Sequence, residues 1–186
     1  VALMRAGGFS GIMAGIGHLK REQNGLLNIL ANARQTPGGV AMLKGISPLL
    51  PPELLKTLAE MGHGDEIVIG DGNFPAAAMG KRCIRCDGHG ANAMLDAVLT
   101  LLPLDDFVDA PVTLMQVVPG TVPEGEPPIW ADFRDTLQKH EPAAGIGFAE
   151  RFAFYERSRN AFATVQTGEG ALYACVILKK GVVRQR

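Results

Sequence analysis

Three cysteines in 186 residues, Cys83, Cys86 and Cys175, are too few and too unevenly spaced to staple a fold. Stability must therefore come from a packed core, and a reducing, cytoplasmic setting is expected. Long apolar runs are missing too. Glycine, proline or a charge interrupts each stretch before it reaches the ~18–20 residues that a helix needs to cross a bilayer. Neither sign of charge dominates: a formal net charge of −1 gives no general attraction for phosphate backbones or anionic lipid surfaces, which argues against nucleic-acid and membrane partners. Internal repeats and low-complexity tracts are also lacking, which excludes a solenoid.

What is present is ordinary for a globular chain, 47% hydrophobic and 20% charged, and its length fills one core. The exception is the stretch 1–41. It is Gly-rich and carries Arg5, Lys20, Arg21 and Arg34 against Glu22 alone, a net +3 that leaves −4 for the remainder. It reads either as an organelle-targeting peptide or as translated upstream sequence, with Met42 as the start of a folded domain over 42–186.

Within 42–186, helical and extended patterns alternate. Leu54, Leu55, Leu58 and Met61 share one face of a helix that starts at Pro52 and that Gly62 is placed to stop. Glu66–Gly70 reads as a buried strand, Asp71-Gly72-Asn73 as a turn, and Phe74-Pro75 as the start of a short helix. Strands follow at Cys83–Cys86 and Val112–Val118, and helices at Asn92–Leu102, Trp130–His140 and Arg151–Arg157. A Gly/Pro/Glu-rich loop spans Pro119–Pro128. Strands at Phe162–Thr167 and Leu172–Lys179, joined through Gly168-Glu169-Gly170, look like a closing antiparallel hairpin. The alternation predicts an α/β domain.

Several polar residues stand out. His63 lies between glycines just past a helix end, where it is either a reachable proton carrier or a cation capping the helix. Asp71 sits at a strand's carboxyl end, where open α/β sheets bind ligands, yet an Asp-Gly turn accounts for it equally well. Arg151 and Tyr155 are four apart on one helix face, which an amphipathic helix with an exposed arginine also explains. Tyr173 can project a phenol into a pocket or a core. Cys83-Ile-Arg-Cys86 with His89 is only a partial zinc set, and strand alternation sends positions 83 and 86 to opposite faces, so no metal is expected. Gly80-Lys81-Arg82 lacks the spacing and hydroxyl of a phosphate loop, so no nucleotide cofactor is expected either.

Met42-Leu-Lys-Gly-Ile-Ser-Pro-Leu-Leu, Glu60-Met-Gly-His-Gly-Asp-Glu-Ile-Val, Asn73-Phe-Pro, Glu150-Arg-Phe-Ala-Phe-Tyr-Glu-Arg and Ile177-Leu-Lys-Lys-Gly occur in order. With these blocks the chain resembles, over 42–183, the fucose mutarotases, which group with the ribose pyranases in one sugar-binding family. The resemblance implies a single three-layer α/β/α domain with a mixed sheet, a homo-oligomer, and a monosaccharide partner. It implies a proton-transferring role for His63, substrate contacts from Asp71 and Arg151, and a catalytic or orienting role for Tyr173. The Arg-Phe-Ala-Phe-Tyr-Glu-Arg block is similar to the fucose branch, which favours L-fucose over D-ribose, with ribose pyranase activity or a non-catalytic sugar-binding module as the rival readings. In the substrate-binding run Tyr173-Ala174-Cys175, the cysteine stands where the family usually has asparagine. Losing one neutral hydrogen bond costs about 0.5–1.5 kcal/mol, so weaker sugar binding or an altered preference is expected there.

Overall fold

The computed structural model describes residues 43–122 and 125–184; the basic leader, 1–41, lies outside the described residues. Helix α1 (Pro52–Glu60) leads to β1 (Glu66–Gly70), the short α2 (Ala76–Met79), β2 (Cys83–Cys86) and α3 (Ala91–Leu99). Then come β3 (Val112–Met115), α4 (Ile129–His140), β4 (Ile146–Ala149), α5 (Arg151–Asn160), β5 (Ala163–Thr167) and β6 (Val176–Lys179). The strands form one mixed sheet in the order β2-β5-β1-β6-β3-β4. Strand β5 runs parallel to both β1 and β2, and β3 runs parallel to β4, while β6 is antiparallel to both its neighbours, β1 and β3.

Alternation along the strands builds two cores. Ile67 and Ile69 of β1, with Val176 and Leu178 of β6, face the larger core, which Leu54 and Leu58 of α1, Met94, Leu95 and Val98 of α3, and Phe133 and Leu137 of α4 complete. Val68 and Ile177 point the other way, into a smaller core with Met115, Cys175, Ala76 of α2 and Phe154 of α5. Helices on both faces of a mixed sheet make the three-layer α/β/α architecture that the family resemblance implied, and the α/β alternation read from the residues agrees with it. Cys83 packs against the smaller core and Cys86 lies in the larger, on opposite faces as the alternation required.

Three local expectations need correction. The closing hairpin does not form, because β1 lies between β5 and β6. The connecting turn is held sideways instead: Gly168 N–H donates to the His89 carbonyl, and the Glu169 carboxylate accepts from the amides of Ala91 and Ala171. The last strand starts at Val176 rather than Leu172, since Tyr173 adopts a left-handed backbone, φ 59°, that ends extended structure. Strand β3 stops at Met115, and the Val118 amide, free of strand pairing, donates to the Tyr173 hydroxyl at 3.1 Å. Helix α1 does end just before Gly62, but Met61 makes the stop by becoming extended, ψ 136°, and Gly62 N–H donates to Asp65. Helix α3 is shorter than expected and α5 longer, both within a turn.

Strand β4 was not legible. It is a four-residue edge strand following Gly145, and Gly147 lies within it, a composition that argues against a strand. Close approach explains the first glycine, where an added Cβ would lie 1.9 Å from the Asp109 carbonyl oxygen. Among the described residues, no helix is long and apolar enough to cross a membrane.

Candidate functional site

The registers bring the carboxyl ends of β1, β3 and β4 to the same sheet edge as the amino end of antiparallel β6. Asp71 directly follows β1, Met115 closes β3, Arg151 opens α5 just beyond β4, and Tyr173 and Cys175 precede β6. Side chains from all four converge on a cavity of about 240 Å³. Four of the sequence-predicted residues, Asp71, Arg151, Tyr173 and Cys175, line it. Tyr155 lines it too, one helical turn from Arg151.

Asp71 is fixed from several sides. Gln166 Nε2 donates to its backbone carbonyl at 2.6 Å, Thr167 Oγ1 to the carbonyl of Gly70 at 2.7 Å, and Gly72 N–H to the Glu169 carbonyl at 2.8 Å. Its carboxylate accepts from Asn73 N–H on Oδ1, 2.9 Å, and from the Cys175 thiol on Oδ2, 3.3 Å. Burial, reinforced by the negative charge of Asp71, pushes the Cys175 thiol well above the usual cysteine range, so it keeps its proton and acts as the donor. Only 2% exposed, Cys175 braces the carboxylate more than it faces the cavity. Gly70 is required by contact, since a Cβ there would lie 2.7 Å from the Phe74 ring, which forms part of the cavity wall.

Tyr173 is held at both ends. Its carbonyl accepts from the Trp130 indole at 3.0 Å, and its hydroxyl sits 2.5 Å from Thr121 Oγ1 as well as accepting from Val118 N–H. Such a left-handed tyrosine costs about 1–3 kcal/mol and persists only where surrounding bonds enforce it. Arg151 occupies the first position of α5, whose amino end Glu150 caps by accepting from Phe152 and Ala153 N–H, and its guanidinium stacks on the Phe152 ring at 4.8 Å. A carboxylate, a guanidinium and a phenol around a small, partly apolar cavity suit a compact polyhydroxylated ligand.

Two predicted residues stand apart from this group. Ala174 is fully buried in the larger core and its side chain does not line the cavity. His63 precedes β1, whereas Asp71 follows it, so a strand's length, on the order of 15 Å, separates them within one chain. There its Nε2 pairs at 3.1 Å with Asp105, its ring lies against Phe107, and its side chain is 49% exposed. Because an ionised carboxylate can only accept, this pairing puts the proton on Nε2 and leaves Nδ1 as the atom free to exchange one. Burial pushes the Asp105 carboxyl up, but hydrogen bonds from His63 and the Phe107 amide, with the charge of Lys179, outweigh it and hold the pKa below the usual aspartate value.

A larger hollow, about 780 Å³, opens at the His63 end of the sheet, but its cationic side chains already have partners. Arg157 pairs with Glu66 at 2.6 Å, Arg82 with Glu60 at 2.7 Å, and Lys81 donates to the Asn160 carbonyl. The smaller cavity, with polar groups aimed inward from four elements, is the candidate site.

Sequence reasoning missed Asn73, Thr121 and Asp105. The first lies in a turn already recognised. Thr121 lies in a loop with no period to place it, and Asp105 carries no local signal because its partner is 42 residues away.

Residues 44–183 match the model of the RbsD / FucU transport protein family. The chain is 48% identical over 145 residues to the fucose mutarotase of Homo sapiens, covering 76% of this chain and 94% of that one. To the Bos taurus fucose mutarotase it is 49% identical over 150 residues, covering 77% and 96%. Among solved structures, the fucose mutarotase of Streptococcus pneumoniae in complex with L-fucose superposes with a TM-score of 0.71 at 47% identity, covering 76% of this chain and all of that one. RbsD from Bacillus subtilis complexed with D-ribose shares the fold, with a TM-score of 0.59 at 21% identity, covering 77% of this chain and all of that one. With a family model spanning most of its length and mutarotases at nearly half identity, this chain belongs to the RbsD / FucU family.

Proposed function

We propose that this chain is a mutarotase that interconverts the α and β anomers of L-fucose by opening the sugar ring to the aldehyde and reclosing it on either carbonyl face. The observation that carries the reading is the convergence of Asp71, Arg151 and Tyr173 on one cavity, in a chain 47% identical to a mutarotase solved with L-fucose. Asp71 and Arg151 hold sugar hydroxyls, and Tyr173 meets the anomeric end as the second proton carrier or as the group that orients it. Cys175 contributes through Asp71, whose carboxylate it aims. The reaction removes a proton from the anomeric hydroxyl and delivers one to the ring oxygen, so two positioned groups suffice and no covalent intermediate forms.

His63 is the remaining carrier, since an imidazole both gives and takes protons near neutrality. It lies a strand's length from Asp71 in its own chain and is exposed, so it serves the cavity of a second copy in a homo-oligomer.

The test is NMR exchange between the α and β anomeric protons of L-fucose. Wild type accelerates exchange and His63→Ala and Tyr173→Phe do not, while a mixed assembly of the two variants recovers part of the rate because some cavities combine an intact phenol with an intact imidazole. Fucose binding without acceleration by the wild type means a binding module. Acceleration without recovery on mixing removes His63 from the neighbour's site.

A further inference from the structure

The hydrogen bonds around the Tyr173 hydroxyl fix the direction of its proton. Val118 supplies both ends of a closed circuit. Its amide N–H can only donate, and it donates to Tyr173 Oη at 3.1 Å; its carbonyl can only accept, and it accepts from Thr121 Oγ1 at 2.6 Å. A threonine hydroxyl carries one proton, spent here on that carbonyl. The 2.5 Å contact between Thr121 Oγ1 and Tyr173 Oη must then be bridged by the phenol's own proton. The order is therefore Val118 N–H to Tyr173, Tyr173 O–H to Thr121, and Thr121 O–H to the Val118 carbonyl.

From this circuit, which rests on the mutarotase reading for its consequence, we propose that Thr121 is a positioning residue that commits the Tyr173 phenol to accept a hydrogen bond from the sugar rather than to donate one. The phenol oxygen has two lone pairs. One takes the Val118 amide, and the other is left for the cavity that Tyr173 and Thr121 both line. Nor can the circuit serve as a relay, because it ends on a peptide carbonyl that does not take up a proton. Tyr173 then fixes the anomeric hydroxyl as an acceptor and is not the group that protonates the ring oxygen. That choice was left open by the phenol's chemistry alone.

The two roles predict opposite signs for Thr121→Val, which removes the acceptor while keeping the shape of an exposed loop residue. If Thr121 locks an accepting phenol, the freed hydroxyl rotates, and kcat for fucose anomer exchange falls about tenfold with KM changing much less, while Thr121→Ser restores it. If Tyr173 is a proton donor, releasing its proton leaves kcat unchanged or higher, and the proposal is overturned. It is equally overturned if Thr121→Ser is as impaired as Thr121→Val, since the hydroxyl would then not be the operative group.

A second readout does not depend on turnover. The chain has only two tyrosines, Tyr155 and Tyr173, so protein labelled at the tyrosine ¹³Cζ gives two lines. Donating a hydrogen bond moves a phenol's Cζ toward the phenolate position, downfield. Thr121→Val shifts the Tyr173 line upfield and leaves Tyr155 in place if the circuit is present. An unmoved Tyr173 line refutes the circuit, even in a protein that failed to accelerate fucose exchange, where only the mutarotase reading would otherwise be lost.

Discussion

The two ends of β1 carry the two most conspicuous acidic groups of the fold, and they are built differently. At the carboxyl end, buried Asp71 is braced by bonds from its own turn, from β5 and from Cys175 just before β6, and its partners Asn73 and Cys175 keep neutral donors on both oxygens. At the amino end, equally buried Asp105 is paired with His63, a group that is half exposed, and with Lys179. The first arrangement leaves the carboxylate's charge uncompensated by its own hydrogen-bonding partners, which suits the ligand-holding role proposed for Asp71. The second already satisfies its carboxylate and presents an imidazole outward. In the proposed function a rigid acceptor and an accessible proton carrier have opposite needs, and the strand keeps Asp71 and His63 apart within one chain.

Substitution at Asp71 separates the ends most sharply. Asp71→Asn keeps the shape but removes the charge and turns one acceptor into a donor facing the Cys175 thiol. Fucose anomer exchange should fall on the order of 100-fold, with a melting temperature within a few degrees of wild type. Retained turnover would remove Asp71 from the site.

Next is Gly70→Ala, which drives a methyl into the Phe74 ring 2.7 Å away. Overpacking of this kind costs about 1–3 kcal/mol, read by urea denaturation, and should raise the fucose KM because Phe74 forms part of the cavity wall. Unaltered stability together with unaltered KM would mean that the ring moves aside freely.

The amino end should answer to pH instead. A carboxyl whose folded pKa is depressed adds stability that is present above its unfolded pKa and is lost as the pH falls through the folded value. Asp105 is depressed by His63, the Phe107 amide and Lys179, and Asp96 by Lys139 and His140 against its burial. Denaturation midpoints should therefore hold down to roughly pH 4 and drop as the pH falls further, and Asp105→Asn should make that acid limb shallower. An unchanged limb would show that Asp105 does not contribute to it.

The smallest effect is expected at Thr164, whose hydroxyl is buried under Gly80 without a hydrogen-bond partner. Thr164→Val should be neutral or stabilising by up to about 1 kcal/mol in thermal unfolding, whereas a clear loss would reveal a hidden partner for the hydroxyl.

Much of this was legible in the residues. The period of Leu54, Leu55 and Leu58 placed α1, the apolar run 66–70 placed β1, and the blocks around His63, Asp71 and Arg151 carried the family resemblance, because each is a local pattern along a few residues. The failures were non-local. Residues 172–175 alternate like a strand, yet Trp130 and Val118, distant in sequence, hold Tyr173 in a left-handed turn. The hairpin expected from β5 to β6 was displaced by β1, a strand about a hundred residues earlier, and the glycines around β4 disguised an edge strand.

The sequence by itself determined which elements form and which chemistry-bearing residues the chain owns, since hydrophobic period and turn chemistry act within a few residues. Only the tertiary structure decided that Asp71, Arg151 and Tyr173 meet at one sheet edge while His63 lies at the other. It also decided that the Cys175 thiol donates to the Asp71 carboxylate at the cavity wall and that Thr121 reaches the phenol. Strand order and register set those distances, and they are fixed by cooperative packing of the whole sheet, which no local stretch encodes.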